Sequence, residues 1–78
     1  MKNKTYNGHK NFNHWNISLW INNDEGLYRT ALDHVANCAN KNEAAEMMLA
    51  DLHSVNICKT PDGAPYSKSS IRAAMVGM

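Results

Sequence analysis

Little in this 78-residue chain is available to staple it, stiffen it or charge it. Two cysteines permit one bridge at most, which excludes a disulfide-dense scaffold. Two prolines and four glycines are too few for a collagen-like repeat or a flexible linker array. Charged residues are 19% of the chain and the formal net charge is +1, so no one-signed field gathers nucleic acid or an anionic membrane. No apolar run approaches 18 residues, so no segment is expected to span a bilayer. Residues 1–10 (MKNKTYNGHK) are polar, lack the apolar stretch of a secretory signal, and are expected to be a flexible lead-in. A cytoplasmic location with reduced thiols at Cys38 and Cys58 follows as the expectation. The length allows one domain, burying about 60–65% of the surface of its unfolded chain. So small a core is marginal alone, and a homodimer is a natural expectation.

What the chain does have is asparagine, eleven residues of it, together with five methionines and 44% hydrophobic residues. Asparagine favours helix caps and turns, because its amide competes for nearby backbone groups. Residues 11–22 (NFNHWNISLWIN) are the most apolar stretch. Trp15, Ile17, Leu19 and Ile21 alternate as in a strand, while Phe12, Trp15, Leu19 and Trp20 fit a helical stripe. We read a helix capped by Asn11, because no second strong strand exists to pair with it. Asn23 is read as the next cap, with Asp24 and Glu25 in the first turn. Leu27, Tyr28, Ala31, Leu32, Val35 and Cys38 continue that helix to about residues 39–40. Gly26 inside it costs ~1 kcal/mol against alanine; a reason for it is close approach of Trp20 or Trp15.

Asn42 is read as a third cap, before a helix over residues 43–55 with Ala44, Met47, Met48, Leu52 and Val55 as its stripe, widened by Ala45 and Leu49. Residues 59–65 (KTPDGAP) form a turn, with Pro61 presetting φ and Asp62-Gly63 reversing the chain. Ser67 caps a last helix over residues 68–76, with Ile71, Ala74 and Met75 inward, Lys68 and Arg72 outward, and Gly77 at its end. The fold class is therefore all-α: a compact single domain of about four short helices over residues 11–78, with a helix-turn-helix-like C-terminal half. Its core is expected to draw on Trp15, Leu19, Trp20, Leu27, Leu32, Val35, Met48, Leu49, Leu52, Ile71 and Met75.

Candidate sites are few. The aromatics near the N-terminus first suggest core, since large aromatic side chains lead the energetics of small domains. Two tryptophans five residues apart do not both fit the centre of so small a core, so Trp15, Trp20, Tyr28 and Tyr66 are the candidate partner-binding anchors. His34 and Cys38, with His53 and Cys58, have the ligand types of a zinc site but lack compact knuckle spacing, so no metal is assigned. Asp24 and Glu25 are adjacent and do not face one another on a helix, which favours capping over shared-proton chemistry. Ser67, Ser69 and Ser70 have no general base in sequence reach, and no glycine-rich phosphate loop is present. No catalytic residue and no cofactor are expected, and the chain is read as a non-enzyme.

Two stretches resemble known families. Asn11, Trp15-Asn16-Ile17, Leu19-Trp20-Ile21 and residues 22–28 (NNDEGLY) resemble the W-N-[VI]-x-L-W-[IL]-x-N-D-E-G-L-Y signature of small proteins common in phages and mobile elements. That resemblance carries no activity; it implies a phage-type accessory protein acting inside a bacterium. Thr60-Pro61-Asp62-Gly63, Tyr66-Ser67 and Ser70-Ile71-Arg72 are similar to the end of the helix-turn-helix region of serine recombinases, whose last helix enters the DNA major groove. On that likeness Lys59, Lys68, Ser69 and Arg72 are the candidate nucleic-acid contacts. Asp62 and Ala73 depart from it, standing where that family usually carries a basic or small residue and a second arginine.

Two functional expectations result. The first is a non-catalytic inhibitor binding a host protein or nucleoprotein complex, of anti-CRISPR or antirestriction type. The second is a small helix-turn-helix-like DNA-binding protein.

Overall fold

The computed structural model describes residues 11–78. The expected lead-in, residues 1–10, lies outside the described residues. The fold is all-α, with four helices among the described residues: α1 (Phe12–Asn23), α2 (Glu25–Asn37), α3 (Lys41–Ser54) and α4 (Lys68–Ala74). α1 packs on α2 and α4, and α3 packs on the same two helices, so the four close a ring. None of the helices among the described residues is long and apolar enough to cross a membrane.

Polar side chains set each boundary. Asn11 accepts from the His14 amide and starts α1, as the sequence indicates. α2 is capped by Asp24 rather than Asn23: its carboxylate accepts from the Leu27 amide at 3.0 Å. Asp24 is also the residue that ends α1, so a single extended residue turns one helix into the next. Asn23 stays helical, with its amide donating to the Leu19 carbonyl. α3 begins two residues earlier than expected, because Asn40 and not Asn42 accepts from the Glu43 amide. Glu43 reaches back to the Ala39 amide, a second reason why the start falls there. Ser67 caps α4 in a reciprocal box with Ser70.

α3 ends in a left-handed residue, Asn56, at φ 64°. The Asn56 amide donates to the His53 carbonyl and the Ile57 amide to the Leu52 carbonyl, the two bonds of a Schellman motif. A small hairpin follows. Thr60 and Ala64 pair, the Gly63 amide donates to the Thr60 carbonyl, and Gly63 takes φ 92°. A three-residue loop closed by a left-handed glycine gives that geometry, so Pro61-Asp62-Gly63 turns the chain as expected. An isolated antiparallel bridge joins Lys59 and Pro65.

The core is built differently from the expected set. Ile17 and Ile21 of α1 are fully buried, with Met48 and Leu52 of α3 and Ile71 and Met75 of α4. Ala31, Ala44, Ala45, Ala64 and Ala74 fill the spaces between them. Four of these alanines sit on helices and Ala64 on the hairpin, so small side chains occupy much of the centre that the aromatics were expected to fill. Leu27, Val35 and Leu49 pack against this centre from the side. Leu19 and Leu32 are exposed, at 40% and 36%, and Met47 and Val55 likewise stand outside the stripe of α3. Trp15 and Trp20 are half-buried. The reason lies in α1, which is apolar on two sides. Phe12, Trp15 and Leu19 share its outer flank, about 100° or more round the helix from Ile17 and Ile21.

Gly26 is not needed for tryptophan contact. A Cβ there would meet only the Asp24 carboxylate, at 3.4 Å.

Candidate functional site

The central polar feature joins the two stretches of sequence that resembled separate families. Asn16 of α1 is 1% exposed and points at the hairpin. Its amide nitrogen donates to Asp62 Oδ2 at 2.9 Å, and its carbonyl oxygen accepts from the buried Thr60 hydroxyl. That hydroxyl in turn accepts from the Ala64 amide at 3.1 Å. Trp20, one turn further along α1, donates from Nε1 to the same Asp62 oxygen at 3.0 Å. These two donors hold the Asp62 carboxyl below its ordinary value, Asn16 contributing more than Trp20 and the slight burial opposing both. The network fixes the hairpin against α1, and every buried side-chain polar atom among the described residues has a partner.

Fixing the hairpin there leaves a groove beside it, about 780 Å³ in volume. One wall comes from the α1–α2 junction, with Trp20 and Leu27, and the other from the end of α3, with Leu52, Val55 and Ile57. Tyr66 and Pro61 also line it, and Asp24, Asp51 and Lys59 supply charged groups. Pockets that bind small ligands and peptides fall in this size range, with mostly apolar linings and few polar groups. Burial pushes the Tyr66 phenol up, and the nearby Asp24 charge adds to that shift. Asp51 is held in place by His34 of α2, whose Nε2 lies 2.7 Å from its carboxylate.

Two of the four aromatic anchor candidates line this groove: Trp20 and Tyr66 do, whereas Trp15 and Tyr28 do not. Tyr66, expected to face a partner, is 7% exposed and belongs to the core as well as to the groove wall. Trp15 packs with Phe12, ring centroids 5.9 Å apart. Tyr28 is exposed on α2.

Of the candidate nucleic-acid contacts, Lys68, Ser69 and Arg72 come together with Asn42 around a second hollow of about 370 Å³. Lys59 is not among them; it lines the apolar groove instead. Ser69, expected to lack a base, has His14 beside it, Oγ to Nε2 3.1 Å, tying α4 to α1 across 55 positions of chain. Among the described residues no three His, Cys, Asp or Glu side chains converge on a possible metal position. Both cysteines are free, Cys38 half-buried and Cys58 exposed.

Sequence reasoning missed Asn16, Thr60 and Asp62 as one unit, and missed Ile57 as a groove residue. The available signal was Asn16 itself, a strongly polar residue inside the most apolar stretch of the chain. Such a residue is buried only with partners, and Thr60 and Asp62 supply them.

Neither curated proteins nor solved structures provide a match to this chain. A family model does match, over residues 2–78, and by that extent the chain belongs to the family of unknown function DUF7249.

Proposed function

We propose that this protein is a non-catalytic accessory protein of phage type, which binds a macromolecular partner through the groove and so inhibits a host defence complex of anti-CRISPR or antirestriction type. The observation that carries the binding part is the groove itself: an apolar hollow of about 780 Å³ beside a hairpin that Asn16 and Trp20 tie to α1. The partner is a protein surface, because the lining is apolar and aromatic with charge only in places, the make-up of the centre of a protein interface. The phage-type likeness of residues 11–28 supports the choice of a defence complex.

The test is phage plating. Bacteria with an active CRISPR or restriction system are challenged with a targeted phage, with and without the full chain expressed. Plating is expected to rise with the wild-type chain and to fall back with Val55→Glu, which puts a charge at an exposed groove position. Unchanged plating across such hosts overturns the inhibitor reading.

A second reading, DNA binding through α4, draws support from the gathering of Lys68, Ser69 and Arg72 around one hollow. Lys59, the fourth expected contact, lines the apolar groove and not this hollow. A gel shift on random duplex DNA decides it: binding through these residues weakens steeply as salt rises, whereas contact through apolar side chains does not.

A further inference from the structure

The groove has a backbone edge along one side. In the hairpin, the Cys58 carbonyl accepts from the Tyr66 amide and the Thr60 amide donates to the Ala64 carbonyl. In extended chain, successive residues direct their backbone groups to opposite sides. Lys59, between those two residues, therefore turns its amide and carbonyl away from residues 64–66. Ile57 shares that side, and its amide donates to the Leu52 carbonyl at the end of α3. The side in question is thus the one facing α3 and the groove, and both Ile57 and Lys59 line the groove. Among the described residues, nothing pairs with the amide or the carbonyl of Lys59 or with the carbonyl of Ile57.

We propose that the groove takes an extended peptide segment of the partner, which adds as a short strand to the edge at Ile57–Lys59 and lays an apolar side chain between Trp20, Leu27 and Val55. This rests on the protein-binding reading above and specifies the form of the bound segment. Strand addition has the two parts it needs: main-chain groups that supply affinity and a pocket that selects a side chain. Asp24 and Asp51 on the groove, set against the single cation Lys59, favour a segment with basic residues flanking the apolar one. Pro61 has no amide hydrogen and ends the edge after about three residues, which limits pairing to a short segment.

The probe is a blocked heptapeptide alternating lysine and leucine, titrated into the full isotopically labelled chain and followed by amide and indole resonances. Saturable shifts are expected at the Lys59 amide and the Trp20 indole. N-methylating one alternate set of peptide amides should weaken binding about tenfold, the loss of a backbone hydrogen bond or two, while methylating the other set should not. Replacing the lysines by glutamates should weaken it as well. Lys59→Pro removes an amide that has no partner in the fold and should lower affinity by a similar factor, read with amide spectra that show the variant folded; Lys59→Ala, which keeps the amide, should bind. No saturable shift at these positions up to about 1 mM peptide overturns the proposal. So does binding indifferent to both methylation sets, or tighter binding of a helix-locked peptide of the same composition. If plating rises with the wild-type chain while the extended peptide fails to bind, strand addition is overturned and the inhibitor reading stands. If the peptide binds as expected while plating is unchanged, strand addition stands and the inhibitor reading falls.

Discussion

Trp20 and Asp62, forty-two positions apart, are joined by a hydrogen bond of 3.0 Å from the indole nitrogen to the carboxylate. Asn16 donates to the same oxygen from 2.9 Å. The W-N-I-S-L-W run and the T-P-D-G turn are therefore two halves of one contact. Asp62, one of the two residues that depart from the recombinase-like pattern, is the acceptor for both α1 donors.

Removing the central amide tests this directly. Asn16→Ala leaves the buried Thr60 hydroxyl without its acceptor, a loss of about 1–3 kcal/mol. Chemical denaturation is expected to show that loss. The indole resonance of Trp20 should persist, because its own bond to Asp62 does not pass through Asn16.

Acid should loosen the hairpin. The Asp62 carboxyl lies below its ordinary value of 3.8 in the folded state, chiefly through Asn16 and then Trp20. A depressed folded-state value means stability that is present above 3.8 and lost as pH falls from there through the folded value. Asp62→Asn should be less stable than wild type at neutral pH and should lose this part of the acid slope. Thermal melts of both chains from neutral pH to below 3.8 measure the difference.

The two faces of α1 should respond very differently to truncation. Ile17→Ala opens a cavity at a fully buried position and is expected to cost about 2–5 kcal/mol. Leu19→Ala, at an exposed position, should cost less than about 1 kcal/mol. Equal losses in urea denaturation would contradict the assignment of Ile17 and Ile21 to the inner face.

The caps can be separated the same way. Asn40→Ala removes the acceptor for the Glu43 amide and should cost about 1 kcal/mol. Asn42→Ala, an exposed position within the first turn, should stay within about 0.5 kcal/mol. Ser67→Ala should resemble Asn40→Ala, since Ser67 caps α4 by the same kind of bond.

Helix count, the turn at Pro61-Asp62-Gly63 and the caps at Asn11 and Ser67 were legible because each rests on residues close together in the chain. The cap positions before α2 and α3 were misread by one or two residues, since neighbouring Asn and Asp side chains compete and only the geometry of the N3 amide selects among them. The inner face of α1 was misread for a different reason. Aromatic residues there outbid Ile17 and Ile21 in size, yet size does not say which flank meets α4.

From its residues alone, this chain read as a small helical domain, because capping and turn chemistry act over a few positions, and residues 11–22, whose spacing suits a strand as well as a helix, have no second strand to pair with. Which apolar flank is buried, how Asn16 finds Thr60 and Asp62, and where the groove opens were decided only when the helices closed their ring. Those outcomes depend on contacts between residues more than forty positions apart, and no local preference encodes them.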